Sequence, residues 1–470
     1  MTFPIPFDNS YARLPRSFFS QLSPTPPRSP ELLHYNQELG DLLGIPAAPD
    51  AQYAAVFGGA ALPDGSTPIA QLYAGHQFGS YNPQLGDGRA VLLGEVVCDD
   101  GVRRDIQLKG SGPTPYSRMG DGRAWLGPVL REYIVSEAMH ALGIPTTRAL
   151  AAVLTGEQVL RETALPGAVL TRVAQSHLRV GTFEVFAHRG QKGELKRLTD
   201  YAIDRHFPEA DGPMGLLREV CRAQAELIAA WMSVGFIHGV MNTDNCTICG
   251  ETIDYGPCAF MDEYHADTVF SSIDQTARYA YSNQPRIIVW NMAQLATCLL
   301  QLYEEPGTAV EEATEIVHAM PEQIDTAWRK RFGAKLGICD PTPQDAELIE
   351  TLLALMQQQG ADFTNTFDAL ARGDARDQFT DREAFDAWSV KWRARIADET
   401  SAQTTMQAAS PRVIPRNHRI EEMIAAAVGG DYQPFTRLLA ATTSPYTTQD
   451  TELMRPPTQS QRVPATFCGT

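Results

Sequence analysis

A long apolar helical pattern, Leu216 to Val234, stops at Gly235 and leads into His238-Gly239-Val240-Met241-Asn242-Thr243-Asp244-Asn245. Nine residues after Asn245 comes Asp254, within Ile253-Asp254-Tyr255-Gly256. This stretch constrains the chain more than any other. Asn245 and Asp254 offer an amide oxygen and a carboxylate, the hard ligands that a divalent metal beside phosphate groups needs. Alone, either residue would read as a turn cap. The preceding helix, the short step between the two and the Ile-Asp-x-Gly context together favour a metal pair.

Kinase catalytic loops read His-Arg-Asp-x-x-x-x-Asn and are followed by Asp-Phe-Gly. His238, Gly239, Asn245 and Asp254 stand at those intervals, but Val240 occupies the position of the catalytic base. A carboxylate appears instead as Asp244, beside the metal-binding Asn. Upstream, Gly86-Asp87-Gly88-Arg89 is a tight turn before the strand-like run Ala90 to Val97. Asp99-Asp100-Gly101 predicts a hairpin turn, and Arg104 to Lys109 alternates like the returning strand. Pro128 opens a helix that Gly143 closes, with Val129, Tyr133, Ala138 and Leu142 on its apolar face. The order is that of a kinase small lobe, in which a strand Lys (Lys109) is oriented by a helix Glu (Glu132).

The predicted fold is therefore α+β: a protein-kinase-like bilobal fold with an antiparallel-sheet small lobe, a mostly helical large lobe and extensions at both ends. We set the boundaries at 1–75 for the Pro-rich N-terminal extension, 76–170 for the small lobe, 171–400 for the large lobe and 401–470 for the C-terminal extension. Ile287 to Leu302 is expected to be helical, as is most of 342–400, with Leu348, Leu352, Leu353 and Met356 on one face. From about residue 401 the sequence reads as a Pro- and Thr-rich tail with one short helix, Arg419 to Val428.

At 470 residues with 43% hydrophobic and 20% charged side chains, the composition is that of an ordinary soluble protein. A net charge of −17 disfavours nonspecific nucleic-acid binding. No apolar run reaches membrane-spanning length, and Met1 to Ser20 lacks the apolar core of a secretory signal. Eight scattered cysteines read as reduced thiols of a cytoplasmic protein. Cys246-x-x-Cys249 with Cys258 lacks a fourth ligand of zinc-site spacing, so strand and hairpin thiols are the preferred reading. Cys468, third from the end, is either an idle terminal residue or a thiol open to oxidation. Arg89, Arg123, Arg172 and Arg179 suit phosphate oxygens; spacing alone leaves solvent-exposed charge equally open for all four.

Five segments carry a specific likeness: His238 to Asn245, Ile253 to Pro257, Gln84 to Arg89, Leu108 to Arg123 and Gly143 to Arg148. They resemble the selenoprotein O family, and the likeness runs from about Leu22 to the C-terminal Cys. It implies a protein-kinase-like fold with an inverted nucleotide, and transfer of AMP from ATP to Ser, Thr or Tyr hydroxyls of acceptor proteins. It further implies that Gly86, Gly88, Arg89, Lys109, Asp121, Gly122, Arg172 and Arg179 contact ATP. Asn245 and Asp254 would hold Mg2+ or Mn2+, Asp254 also bordering the nucleotide, while Asp244 accepts the proton and Glu132 orients Lys109. Cys468 stands where animal members carry selenocysteine, and some relatives bridge that tail to a Cys after the Asp-Tyr-Gly. Here the comparable stretch, Val269 to Ser272, has no thiol; the nearest is Cys258.

Three activities stand open: AMP transfer, which the resemblance implies, γ-phosphoryl transfer with Asp244 as a displaced base, and nucleotide binding by an inactive scaffold. The expected protein is a cytoplasmic monomer that acts on protein acceptors and binds neither nucleic acid nor membrane.

Overall fold

The computed structural model describes residues 3–305, 307–396 and 399–467. An antiparallel sheet and a large helical remainder make up the chain, the mixed α+β class expected. The sheet begins with β1 (Phe19–Gln21), β2 (Glu31–Tyr35) and β3 (Ile69–Gln71), all from the Pro-rich first 75 residues. A separate hairpin follows, β4 (Gly75–Gln77) with β5 (Ser80–Asn82). Then come β6 (Ala90–Val97), β7 (Arg103–Lys109), β8 (Ala124–Trp125), β9 (Arg148–Leu160) and β10 (Ala164–Ala174). Across the sheet the order is β1-β3-β6-β7-β10-β9-β2, with β8 paired to β10.

The β6–β7 hairpin forms where the sequence predicts it. Gly101 takes a left-handed φ of +77° and the Asp100 carboxylate accepts the Val102 N–H at 2.9 Å, which closes the turn locally. Pairing of Ala90 with Lys109 brings the lysine back beside the Gly86–Arg89 turn. On the other side β10 pairs Leu170 with Lys109 and Arg172 with Gln107. Directly paired residues share a face, so Lys109 and Arg172 project together.

Helix α1 (Leu126–Ala141) lies against this sheet. It starts two residues before Pro128, whose missing N–H is harmless in a first turn, and Gly143 follows its end with φ +71°. Its flank is fixed by Glu137, which accepts two hydrogen bonds from Arg148 at 2.9 and 2.8 Å. Beyond β10 run α2 (Val180–His188), α3 (Gly212–Ser233), α4 (Gln284–Leu300) and the 29-residue α5 (Gly307–Lys335). The predicted helices at 216–234 and 287–302 are α3 and α4, displaced by a few residues at their ends. Three helices fall between 345 and 395, where helix was expected, and Leu352, Leu353 and Met356 are buried; a fourth, Glu399–Ala409, runs into the segment expected to be tail.

The C-terminal segment departs from the expectation. Besides α6 (Asn417–Val428), which matches the predicted short helix, it forms α7 (Gln433–Thr442). Thr is a poor helix former, but Phe435, Leu438, Leu439 and Thr442 recur at helical spacing and are buried. Tertiary burial outweighs propensity there. The Phe435 ring meets Tyr133 of α1 edge-on at 5.6 Å, so this segment buttresses the back of the helix that carries Glu132. Phe435→Ala is expected to cost about 3–5 kcal/mol in urea unfolding. A loss below about 1 kcal/mol would mean the segment is a loose appendage.

Candidate active site

A cleft of about 630 Å³ opens between the sheet with α1 on one side and the loops after α3 on the other. All twelve site residues expected within 86–254 border it: Gly86, Gly88, Arg89, Lys109, Asp121, Gly122, Glu132, Arg172, Arg179, Asp244, Asn245 and Asp254. Cys468 lies outside the described residues.

Asp254 is the hub. Its Oδ1 accepts hydrogen bonds from Lys109 Nζ at 2.8 Å and Arg172 Nη1 at 2.6 Å, and its Oδ2 accepts one from Arg179 Nη1 at 2.6 Å. Glu132 closes the group, accepting from Lys109 Nζ at 2.6 Å and lying 3.3 Å from Arg172 Nη1. Burial pushes the Asp254 carboxyl upward, but the three cations outweigh it and hold the group well below the usual carboxylate range. Asp254 has a left-handed φ of +62°, an uncommon conformation for a residue other than Gly. Its segment is pinned on both sides. His238 Nε2 bonds the Ile253 carbonyl at 2.8 Å while its ring stacks on Trp231, and Tyr255 OH bonds Thr146 Oγ1.

Asp244 is buried nearby under different conditions. Arg179 Nη1, besides bonding Asp254, donates to the Asp244 backbone carbonyl at 2.6 Å, so one nitrogen ties the two aspartates together. The Asp244 Oδ2 accepts from Gln77 Nε2 at 3.1 Å, whereas its Oδ1 is buried with no partner. Burial raises this carboxyl from 3.8 to about 6, partly opposed by the Arg179 charge and the Gln77 hydrogen bond. A carboxylate with a spare oxygen and that affinity suits a proton acceptor near neutral pH. The Val240 side chain, at the customary base position, contributes an apolar wall.

The outer part of the cleft is a turn region. Gly86 has φ +107°, and a Cβ there would lie 2.6 Å from the Tyr116 ring, so glycine is needed for the 114–122 segment to lie over the turn. Arg89 and Arg123 each keep a buried Nη1 without a partner. Asp121 sits at the mouth, paired with Arg161 at 2.8 Å.

A family model described as "Protein adenylyltransferase SelO" matches residues 2–443. The chain belongs to the SelO family. Among its relatives, the protein nucleotidyltransferase YdiU of Roseobacter denitrificans (strain OCh 114) is 74% identical over 470 residues, the whole of both chains. Proteins of the same name from Ruegeria pomeroyi and Ruegeria sp. (strain TM1040) are 65% and 64% identical, again over the full length of each. On this SelO membership the chain is a nucleotidyltransferase.

A divalent cation fits the donors that this SelO chain presents. Asn245 Nδ2 donates to the Val240 carbonyl at 3.0 Å, which leaves the amide oxygen as its free end, and Asp254 supplies a carboxylate. Among the described residues no cluster of three or more His, Cys, Asp or Glu has metal-site geometry. Two protein oxygens completed by phosphate oxygens and water match the usual habit of Mg2+.

Several cleft residues were not among those expected from the sequence. Asp87 lines the cleft buried, its carboxyl pushed up to about 6 by burial. Gln77 reaches Asp244 across 167 positions of sequence. Arg161 is likewise brought in by the fold alone. Among the described residues, no helix is long and apolar enough to cross a membrane.

Proposed function

We propose that this site transfers AMP from ATP to Ser, Thr or Tyr hydroxyls of acceptor proteins and releases pyrophosphate. The cleft is read as that of a protein-kinase-like fold, with 76–170 as small lobe, 171–400 as large lobe and 1–75 and 401–470 as extensions. The carrying observation is the contrast between the two aspartates. Asp254 is held ionised among three cations, while Asp244 keeps a buried, unpartnered oxygen.

Each residue then has a task. The Lys109, Arg172 and Arg179 cations outnumber the two carboxylates they pair with, Glu132 and Asp254. The surplus positive charge favours a polyphosphate and stabilises the charge that develops as pyrophosphate departs. Arg89, with a buried Nη1 free, adds a further donor. Glu132 keeps Lys109 and Arg172 in register. Mg2+ or Mn2+ held by Asn245 and Asp254 would neutralise phosphate charge and polarise the α-phosphate. The Asp244 carboxylate takes the proton of the attacking hydroxyl, and the hydroxyl oxygen bonds to the α-phosphorus as the bond from that phosphorus to the α–β bridging oxygen breaks and pyrophosphate leaves. The SelO and YdiU names of the matching family and relatives support nucleotidyl rather than phosphoryl chemistry.

The test uses ATP labelled on the α- or the γ-phosphate, with Mg2+ and casein. Label from the α position alone is expected, on casein or on the protein itself. Label from γ alone would make the enzyme a kinase with Asp244 as a displaced base. No label from either would make it a nucleotide-binding scaffold.

A further inference from the structure

Asp244 sits in a purpose-shaped seat built by two distant parts of the chain. The first is the β4–β5 hairpin, whose alternation turns Gly75 and Gln77 to one side. A Cβ on Gly75 would lie 2.6 Å from Asp244 Oδ1, so the strand can pass this close only without a side chain. Gln77 Nε2 then reaches Oδ2 at 3.1 Å. The hairpin tip is fixed in turn, because the Phe78 N–H donates to Asn242 Oδ1 at 3.1 Å.

The second part is α2. Its N-cap residue Arg179 grips the Asp244 carbonyl. One turn further on, Glu184 is fully buried and holds the preceding residue, with Thr243 Oγ1 donating to Glu184 Oε2 at 2.6 Å. His76, back on the hairpin, closes a ring between the two parts. The His76 N–H donates to Thr243 Oγ1 at 2.7 Å, and His76 Nδ1 lies 2.6 Å from Glu184 Oε1. Burying a carboxylate, a hydroxyl and an imidazole together is unfavourable unless every member is satisfied, and apolar groups of similar volume would hold the fold as well. What the polar ring adds is directionality. It fixes the backbone at Thr243 on one side of Asp244 and the hairpin that carries Gln77 on the other.

We infer that Gln77 and Glu184 are positioning residues for Asp244, Gln77 by direct hydrogen bond to its carboxylate and Glu184 through the Thr243 hydroxyl and His76. The inference rests on Asp244 being the proton acceptor. Neither residue touches the cations around Asp254 in the hydrogen-bond pattern, so their loss leaves the polyphosphate side of the cleft intact. The expected signature is a kcat effect without a KM effect.

The measurement is transfer from α-labelled ATP, with Mg2+, to casein and to the protein itself, with kcat and KM for ATP fitted separately and melting temperature recorded. Gln77→Leu and Thr243→Val are expected to lower kcat on the order of 10- to 100-fold, as a displacement of about 1 Å would. KM for ATP should stay within about twofold. Thr243→Ser restores the hydroxyl and should restore kcat, while Glu184→Gln should behave like Thr243→Val. The inference is overturned if Gln77→Leu and Thr243→Val both retain parental kcat, or if Thr243→Ser is as impaired as Thr243→Val. Gln77 is only half-buried, so Gln77→Leu remains decisive should a core variant fail to fold. An Asp244→Asn variant separates the two levels. If it is inactive while the seat variants are unaffected, only the seat is wrong; if it is active, the proton-acceptor assignment itself fails.

Discussion

Asp254→Ala is expected to abolish nucleotidyl transfer, with a loss on the order of 10³-fold or more, and to destabilise the protein at the same time. Lys109, Arg172 and Arg179 converge on this carboxylate within 2.8 Å. Removing it leaves Lys109 and Arg172 with Glu132 as their remaining ion-pair partner and Arg179 with none at ion-pair distance among the described residues. Breaking a buried ion pair by deleting one partner costs about 3–5 kcal/mol. The effect here falls toward the lower end, since the Asp254 side chain is 22% exposed. Arg172 also retains Gln107 at 2.7 Å, and Arg179 retains the Asp244 carbonyl. Asp254→Asn preserves the volume and should be equally inactive, which separates lost metal binding from a collapsed cleft. Transfer within about tenfold of the parent in Asp254→Asn would remove Asp254 from the metal site.

Asp244→Asn is expected to act in opposite directions on the two properties. Loss of a proton acceptor lowers transfer about 10²- to 10⁴-fold. Stability should rise instead, because the fold now buries a carboxylate with one oxygen unpartnered. An acid whose pKa is raised on folding, here from 3.8 to about 6, carries its penalty when ionised. The penalty is fully present above about pH 6, shrinks as the pH falls and is gone below about pH 4. Its ceiling at neutral pH is roughly 3 kcal/mol. Denaturant melts in metal-free buffer should therefore show the variant more stable than the parent at pH 7.5, with the gap closing toward pH 4. A variant that is less stable at pH 7.5 would mean that the Asp244 Oδ1 is well solvated or paired in solution.

What could be read early was local. The β6–β7 hairpin announced itself through Asp-Asp-Gly and alternation, and α1 through Pro128 and Gly143. Asn245 and Asp254 were visible because nine residues and a preceding helix fix their separation. The helix α7 was not, since its Thr-rich composition argues against helix and the packing of Phe435 on the buried Tyr133 and the half-buried His34 is a tertiary contact. Likewise the first 75 residues contribute three short strands whose pairing depends on neighbours far along the chain.

The same division runs through the site. The sequence by itself determined which groups are available: the carboxylates at 244 and 254, the amide at 245 and the cations at 89, 109, 172 and 179, because turn chemistry and strand alternation act over a few residues. Only the tertiary structure decided their relations. The β7–β10 register put Lys109 and Arg172 on one face, Arg179 joined two aspartates through one nitrogen, and Gly75, Gln77 and Glu184 closed around Asp244. Contacts across 59 to 167 positions are selected by burial and pairing of the whole chain, and no short-range pattern encodes them.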